Sequence, residues 1–294
     1  MQTGFLTTSF AVISALTSYA AESGSSHHSV DRSKRNEPAI AVLDEVLMAP
    51  LDTQSQAYLS NLEVAARRVM TLAPRNHLVR SRLSEALADV GQEDAARAIK
   101  TLRGELLEAR EILSFQVVME APLPKGFPEW TPVGEIRVQK YPPYRIARTE
   151  FTDGGGSSFM TLFNHIASNK IAMTAPVEMS YRNVEADDLR ALDMAFLYEN
   201  ATIGQTGSVA KVDVADVPAR TAISIGMRGE TSPKAVKSAH IRLKAWLAEY
   251  ADEYVAEGNV RVLGYNSPMT SEDKRYFEVQ IPVREKKALS DHRR

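Results

Sequence analysis

Apolar residues in the first third of the chain recur at three- and four-residue intervals. Leu59, Leu62, Ala66, Val69 and Met70 form one such stripe, and Leu83, Leu87 and Val90 another, the spacing of side chains that share one face of a helix. Asp52 or Thr53 is placed to cap the first of these helices, Pro74 and Asn76 to break it, and Gly91 to end the second. A further helix is predicted from about Glu93 through Ala96, Ile99, Leu102, Leu106 and Leu113. Past Pro132 the period changes to two. Ile171, Met173, Ala175, Val177, Met179 and Tyr181 alternate with Ala172, Thr174, Glu178 and Ser180, and Phe277, Val279, Ile281 and Val283 alternate with Glu278, Gln280 and Pro282, as in strands with one buried face. Residues 192–198 and 221–227 read as two more strands. Helical stripes interrupt them at Ser158 to about Ser168 (Phe159, Leu162, Phe163, Ile166) and from Ser232-Pro233 onward (Val236, Ala239, Leu243, Trp246), the second opening on a capping serine followed by proline.

These elements repeat. Strands near 135–151, a helix, and strands 170–181 and 191–199 match strands near 209–228, a helix, and strands 259–266 and 275–283. The pattern predicts an α+β fold: duplicated β-α-β-β units joined in one twisted, barrel-like antiparallel sheet with two helices, preceded by a small all-α region. Such a duplication leaves a cleft at the junction of the halves, where a small ligand can lodge.

Composition divides the chain further. Residues 1–21 read as a signal peptide or a disordered leader: Ser18-Tyr19-Ala20 resembles a cleavage site, but Met1-Gln2-Thr3-Gly4 carries no cation. The destination is then periplasmic or extracellular in the first case and cytoplasmic in the second. Residues 22–37 are polar and predict a flexible linker, 38–114 the helical region, and 286–294 a basic tail. Pro122, Pro124, Pro128 and Pro132 mark 115–132 as a second, semi-rigid linker, which leaves 133–285 as the β-rich domain. Net charge is −2, without the concentrated Lys and Arg that nucleic acid requires. No stretch is apolar enough for an integral membrane span. The absence of cysteine excludes disulfides, thiolate nucleophiles and Cys-ligated heme. Ala65–Asn76 and Arg82–Gly91 resemble one tetratricopeptide junction, so residues 38–114 offer a possible surface for a protein partner.

Tyr141-Pro142, the helix Phe159-Met160-Thr161-Leu162-Phe163-Asn164-His165-Ile166, the string Lys170-Ile171-Ala172-Met173-Thr174-Ala175-Pro176-Val177, and Leu263-Gly264-Tyr265-Asn266-Ser267-Pro268 together resemble the SOUL heme-binding proteins over roughly half of the chain. The resemblance implies a two-layer α+β barrel that binds heme or another porphyrin non-covalently, with no shared catalytic machinery. Candidate contacts for a flat hydrophobic ligand are Met160, Phe163 and Met173, with His165 as the imidazole able to reach an iron. Arg148, Lys170 and Arg228 are candidate partners for ligand carboxylates. The chain departs from relatives that carry a basic residue where Thr161 or Thr270 stands. Two other functions stay open: a scaffold acting through the helical region, and a small-molecule hydrolase using Glu178 with Tyr181. Glu178 alternates with core-facing Val177 and Met179, which places it in solvent. Gly154-Gly155-Gly156 reads as a flexible turn.

Overall fold

The computed structural model describes residues 33–92, 94–185 and 189–286. The leader (1–21), the first part of the polar segment after it, and the tail past residue 286 lie outside the described residues. Two compact units share the chain.

In the helical unit, α1 (Ser33–Met48), α2 (Gln56–Leu72), α3 (Leu78–Asp89) and α4 (Ala95–Ser114) bury Leu43, Leu62, Val69, Leu83, Ile99, Leu102 and Leu106 completely. Each such side chain contributes roughly 1.5–3 kcal/mol. Ser55, not Asp52 or Thr53, caps α2; its Oγ accepts from the Tyr58 amide at 3.1 Å, while Asp52 accepts from the Gln54 amide at 3.0 Å. α1 begins inside the segment whose composition predicts a linker. The reason is tertiary: Asn36 donates to the Leu113 carbonyl at 3.1 Å, Arg35 pairs with Glu135 at 3.4 Å, and Ala39, Val42 and Leu43 are buried. Thr131–Ile136 belongs to this unit. The Gly134 carbonyl accepts from the Leu78 amide at 2.8 Å, and Gly134 itself has φ +79°, with no room for a Cβ, which would stand 2.9 Å from the His77 ring.

The second unit is built of β1 (Ile136–Tyr141), β2 (Tyr144–Glu150), α5 (Gly156–Ser168), β3 (Val177–Tyr181), β4 (Asp193–Leu197), β5 (Gly207–Val209), β6 (Val212–Val217), β7 (Arg220–Arg228), α6 (Pro233–Glu249), β8 (Tyr254–Ala256), β9 (Val260–Gly264) and β10 (Tyr276–Glu285). The sheet order is β1-β7-β10-β9-β3-β4-β2-β6-β5, with β8 beside β10. Exchanging β1 with β6, β2 with β7, β3 with β9 and β4 with β10 reverses the first eight strands onto themselves. The predicted duplication is thus a pseudo-twofold between β3 and β9, whose strands pair antiparallel with Met179 opposite Val262. The predicted strand 170–181 forms only from Val177. Ahead of it, Thr174 Oγ1 donates to the Leu197 carbonyl at 2.6 Å and the Ala175 amide to the Pro122 carbonyl at 3.0 Å, replacing the ladder.

Two short turns roll the sheet. Tyr141 and Tyr144 flank Pro142-Pro143 but belong to β1 and β2, six positions apart in the strand order. Flat, those strands would stand roughly 29 Å apart at about 4.8 Å per strand, whereas three residue steps span at most about 11 Å. Pro218-Ala219 between β6 and β7 imposes the same constraint. The sheet therefore curls until its ends approach, although β1 and β2 do not pair. Both helices lie outside. Leu162 and Ile166 of α5 are buried against Ala147, Met194, Phe196 and Val214. The glycine turn before α5 is a tight left-handed bend: Gly155 has φ +92°, and a Cβ there would meet the Phe151 ring at 2.9 Å.

The proline-rich segment is no spacer. Val117–Trp130 packs with the β unit. Asn266 Nδ2 donates to the Val118 carbonyl at 2.7 Å, Lys125 N to the Glu199 carbonyl at 2.7 Å, and Gln139 Nε2 to the Glu129 carbonyl at 2.8 Å, while Glu120 accepts from Ser267 and Thr270. Phe127 sits edge-on to Tyr141 and Tyr144, 5.1 Å from each ring centre. Native-state proteolysis should therefore spare residues 117–130. Phe127→Ala should lower unfolding free energy by about 2 kcal/mol, less than the roughly 3–5 of a fully buried phenylalanine, and expose the segment to cleavage. Early cleavage of the unaltered protein within 117–130 would contradict this packing.

Candidate functional site

Alternation along the strands sends even-numbered residues of β2, β3, β7 and β10 to the face opposite the helices. That interior face is polar at its centre. Glu178, buried and not in solvent as its neighbours suggest, accepts from Tyr144 Oη at 3.0 Å and from Arg261 Nη1 at 3.1 Å. Arg261 Nη1 also donates to Tyr144 Oη at 2.7 Å, and Nη2 to Gln280 Oε1. Gln280 Nε2 reaches Tyr141 Oη at 2.6 Å and Glu278 Oε2 at 2.7 Å. Glu278 further accepts from Ser224 at 2.7 Å, Tyr276 at 3.0 Å and Tyr265 at 3.2 Å. Burial pushes the Tyr144 phenol up to about 12 and Tyr141 higher still. Both remain protonated donors at neutral pH. Arg261 stays charged: burial, the largest influence, disfavours its cation, but Glu178, Tyr144 and Tyr141 together outweigh it and raise its pKa.

Beside this network the rolled sheet opens into a cavity of about 950 Å³, near the upper end of the roughly 300–1,000 Å³ of small-molecule sites. Ile146, Ala195 and Val217 supply apolar wall; Ser180, Arg261 and Glu178 lie toward the junction of the halves; Lys140, Arg148, Arg220 and Arg284 are its other cations. The cleft anticipated from the duplication exists, on the face away from the helices.

Of the seven residues singled out for ligand contact, Arg148 alone lines the cavity, and it is held by Asp213 at 2.8 Å. Phe163 and Met173 pack with the α5 core, and Met160 is half-buried on that helix. Lys170 is exposed in the turn after α5, with φ 55°. His165 Nε2 lies 2.9 Å from Tyr198 Oη, and partial burial lowers its pKa, which favours the neutral ring. Glu178 and Tyr181 stand three positions apart on β3 and so on opposite faces, which prevents them from acting as a pair. Sequence reasoning missed Tyr141, Tyr144, Arg261, Gln280 and Glu278. The available signal was the run of polar residues Ser224, Glu278 and Gln280 at alternate positions of otherwise apolar strands.

The strings that carry the resemblance do structural work here. Asn266 and Ser267 hold the strap at Val118 and Glu120, Ala175 holds it at Pro122, and Asn266 Oδ1 accepts from the Tyr276 amide at 2.8 Å. The fold is a duplicated α+β sheet, curled but not closed, around a ligand-sized cavity. A family model for SOUL heme-binding protein matches residues 128–282; the chain belongs to the SOUL heme-binding protein family. No curated protein matches the chain. Among solved structures, the C-terminal domain of EcmrR is 16% identical, with TM-score 0.40 over 52% of this chain and 98% of its own. A hydrolase from Listeria innocua is 10% identical, with TM-score 0.41 over 53% of this chain and 94% of its own. A protein solved bound to tetraphenylphosphonium is 15% identical, with TM-score 0.33 over 51% and 94%. These likenesses carry no argument about ligand.

Arg261→Met should cost about 3–5 kcal/mol by leaving Glu178 buried and unpaired, and adding Glu178→Leu should recover much of that loss. Denaturant melts of the single and double variants check this; equal losses in both would sink it. Tyr144 titrates near 12 in the fold against about 10 unfolded. Its contribution to stability is therefore full below pH about 10 and lost as pH rises toward 12. Unfolding free energy that stays flat across that window would contradict the buried phenol.

Proposed function

We propose that the protein binds heme or a related tetrapyrrole non-covalently in the interior cavity, with the macrocycle against Ile146, Ala195 and Val217. The observation that carries this is a cavity of about 950 Å³ in a chain of this family, combining apolar wall with several cations. Its residues suit the apolar body and carboxylates of a porphyrin. Among the described residues that line it, none is His, Met or Cys, and Tyr141, which does line it, is held protonated. The protein side therefore supplies shape, burial and charge, and no iron ligand from this wall. A bound heme would itself supply an iron centre open to exogenous ligands. Apolar burial at about 25 cal/mol per Å² supports affinity for any planar tetrapyrrole, less the costs of association.

Hemin and metal-free protoporphyrin should then bind the full-length protein with about equal affinity, read by absorbance and by quenching of tryptophan fluorescence. Ala195→Phe, which fills the wall, should weaken both by more than about tenfold, a change of about 1.4 kcal/mol. His165→Ala, on the far side of the sheet, should leave both unchanged. Circular dichroism confirms the fold of each variant. Loss of hemin binding in His165→Ala, with no binding of the metal-free macrocycle, would instead establish an axial-ligand site on α5.

A further inference from the structure

The cations of the cavity are unequally neutralised. Lys140 pairs with Glu285 at 2.9 Å, Arg148 with Asp213 at 2.8 Å and Arg261 with Glu178 at 3.1 Å. Among the described residues, no carboxylate pairs with Arg220 or Arg284; Arg220 lies over the Tyr144 ring, 5.7 Å from its centre. The two remaining lining carboxylates, Asp193 and Glu257, form an ion pair with neither arginine.

Strand register brings these two arginines together. β7 and β10 are antiparallel, and their outermost paired rung is Val283 opposite Thr221. The next positions along the strands are Arg284 and Arg220. Alternation from Gln280 and Ser224, which face each other in the interior network, puts both arginines on the same interior face. Like charges facing each other across a ladder repel. Here no carboxylate among the described residues pairs with either, and a concave wall focuses their field. An anion bridging the two would relieve the repulsion. A guanidinium fork matches a carboxylate in two parallel hydrogen bonds, which a point cation cannot do.

The geometry points to Arg220 and Arg284 as a carboxylate-binding lip: the ligand presents one or two carboxylates there while its apolar body lies against Ile146, Ala195 and Val217. The identity of that body rests on the tetrapyrrole reading; the charge site does not. The assignment differs from the cations suggested by sequence, since Lys170 is remote on the turn after α5 and Arg148 is already neutralised by Asp213.

The test titrates the full-length protein with protoporphyrin IX and with its dimethyl ester, in the unaltered form and as Arg220→Gln, Arg284→Gln and the double variant. Each substitution should weaken diacid binding by about tenfold, the size of a charge-assisted hydrogen bond, while ester binding stays unchanged. Raising ionic strength should weaken the diacid alone. Equal binding of diacid and ester in every form would overturn the carboxylate lip and leave the tetrapyrrole reading standing. Binding of neither porphyrin would remove the tetrapyrrole reading. The lip is then decided by thermal melting with glutarate: stabilisation in the unaltered protein that is lost in the double variant supports it, and no stabilisation overturns it. Arg284 is exposed at a strand end, so Arg284→Gln keeps the comparison available should Arg220→Gln disturb the contact with Tyr144.

Discussion

Arg261 and Glu178, paired at 3.1 Å inside the rolled sheet, are the interaction around which the β unit is arranged. Removing two charges from water costs several kcal/mol per ion and is offset only if the remaining donors and acceptors find partners. Here Tyr144 and Gln280 supply most of them, and the guanidinium lies over the Tyr141 ring, 5.2 Å from its centre. The two tyrosines come from β1 and β2, strands at remote positions in the sheet order, and reach one guanidinium only when the sheet is curled. The network therefore fixes a curvature that the backbone ladder leaves open, because β1 and β2 do not pair. A hydrophobic interior of equal volume could be as stable but would specify that closure less sharply.

From this follows a division of labour between the two faces. The outer face, with α5 and α6, buries the large apolar side chains and carries most of the hydrophobic stabilisation. The inner face is filled with hydrogen-bonded polar groups on one side and open on the other, so the cavity lies next to the most rigidly specified part of the unit. Residues 117–130 close over the tyrosines through Phe127, and they are held by the Asn266-Ser267 and Ala175 segments. Strings that look like binding motifs thus serve to dock a strap.

The sequence showed the duplication, the two outer helices and the ordering of strands, because period-two and period-3.6 patterns survive wherever one face is apolar. It placed most of the candidate ligand contacts on the helical face for the same reason. Apolar Phe163 and Met173 advertise a buried surface but do not say whether protein or ligand covers it. Glu178 looked solvent-facing because a carboxylate between apolar neighbours usually is; its partners, Arg261 and Tyr144, are 83 and 34 residues away and cannot be read locally. The start of α1 and the packing of the proline-rich segment were hidden similarly, since both depend on tertiary hydrogen bonds from Leu113, Glu199 and Asn266. The cap at Ser55 was a local error of a few residues.

If the interior cavity is the ligand site, amide hydrogen exchange of the full-length protein with and without metal-free protoporphyrin should show where the ligand sits. Added protection should concentrate in β2, β9, the start of β7 and the end of β10, residues 144–150, 260–264, 220–224 and 280–285, with α5 unchanged. Protection confined to residues 156–173 on the helical face, with the interior strands unaffected, would contradict it.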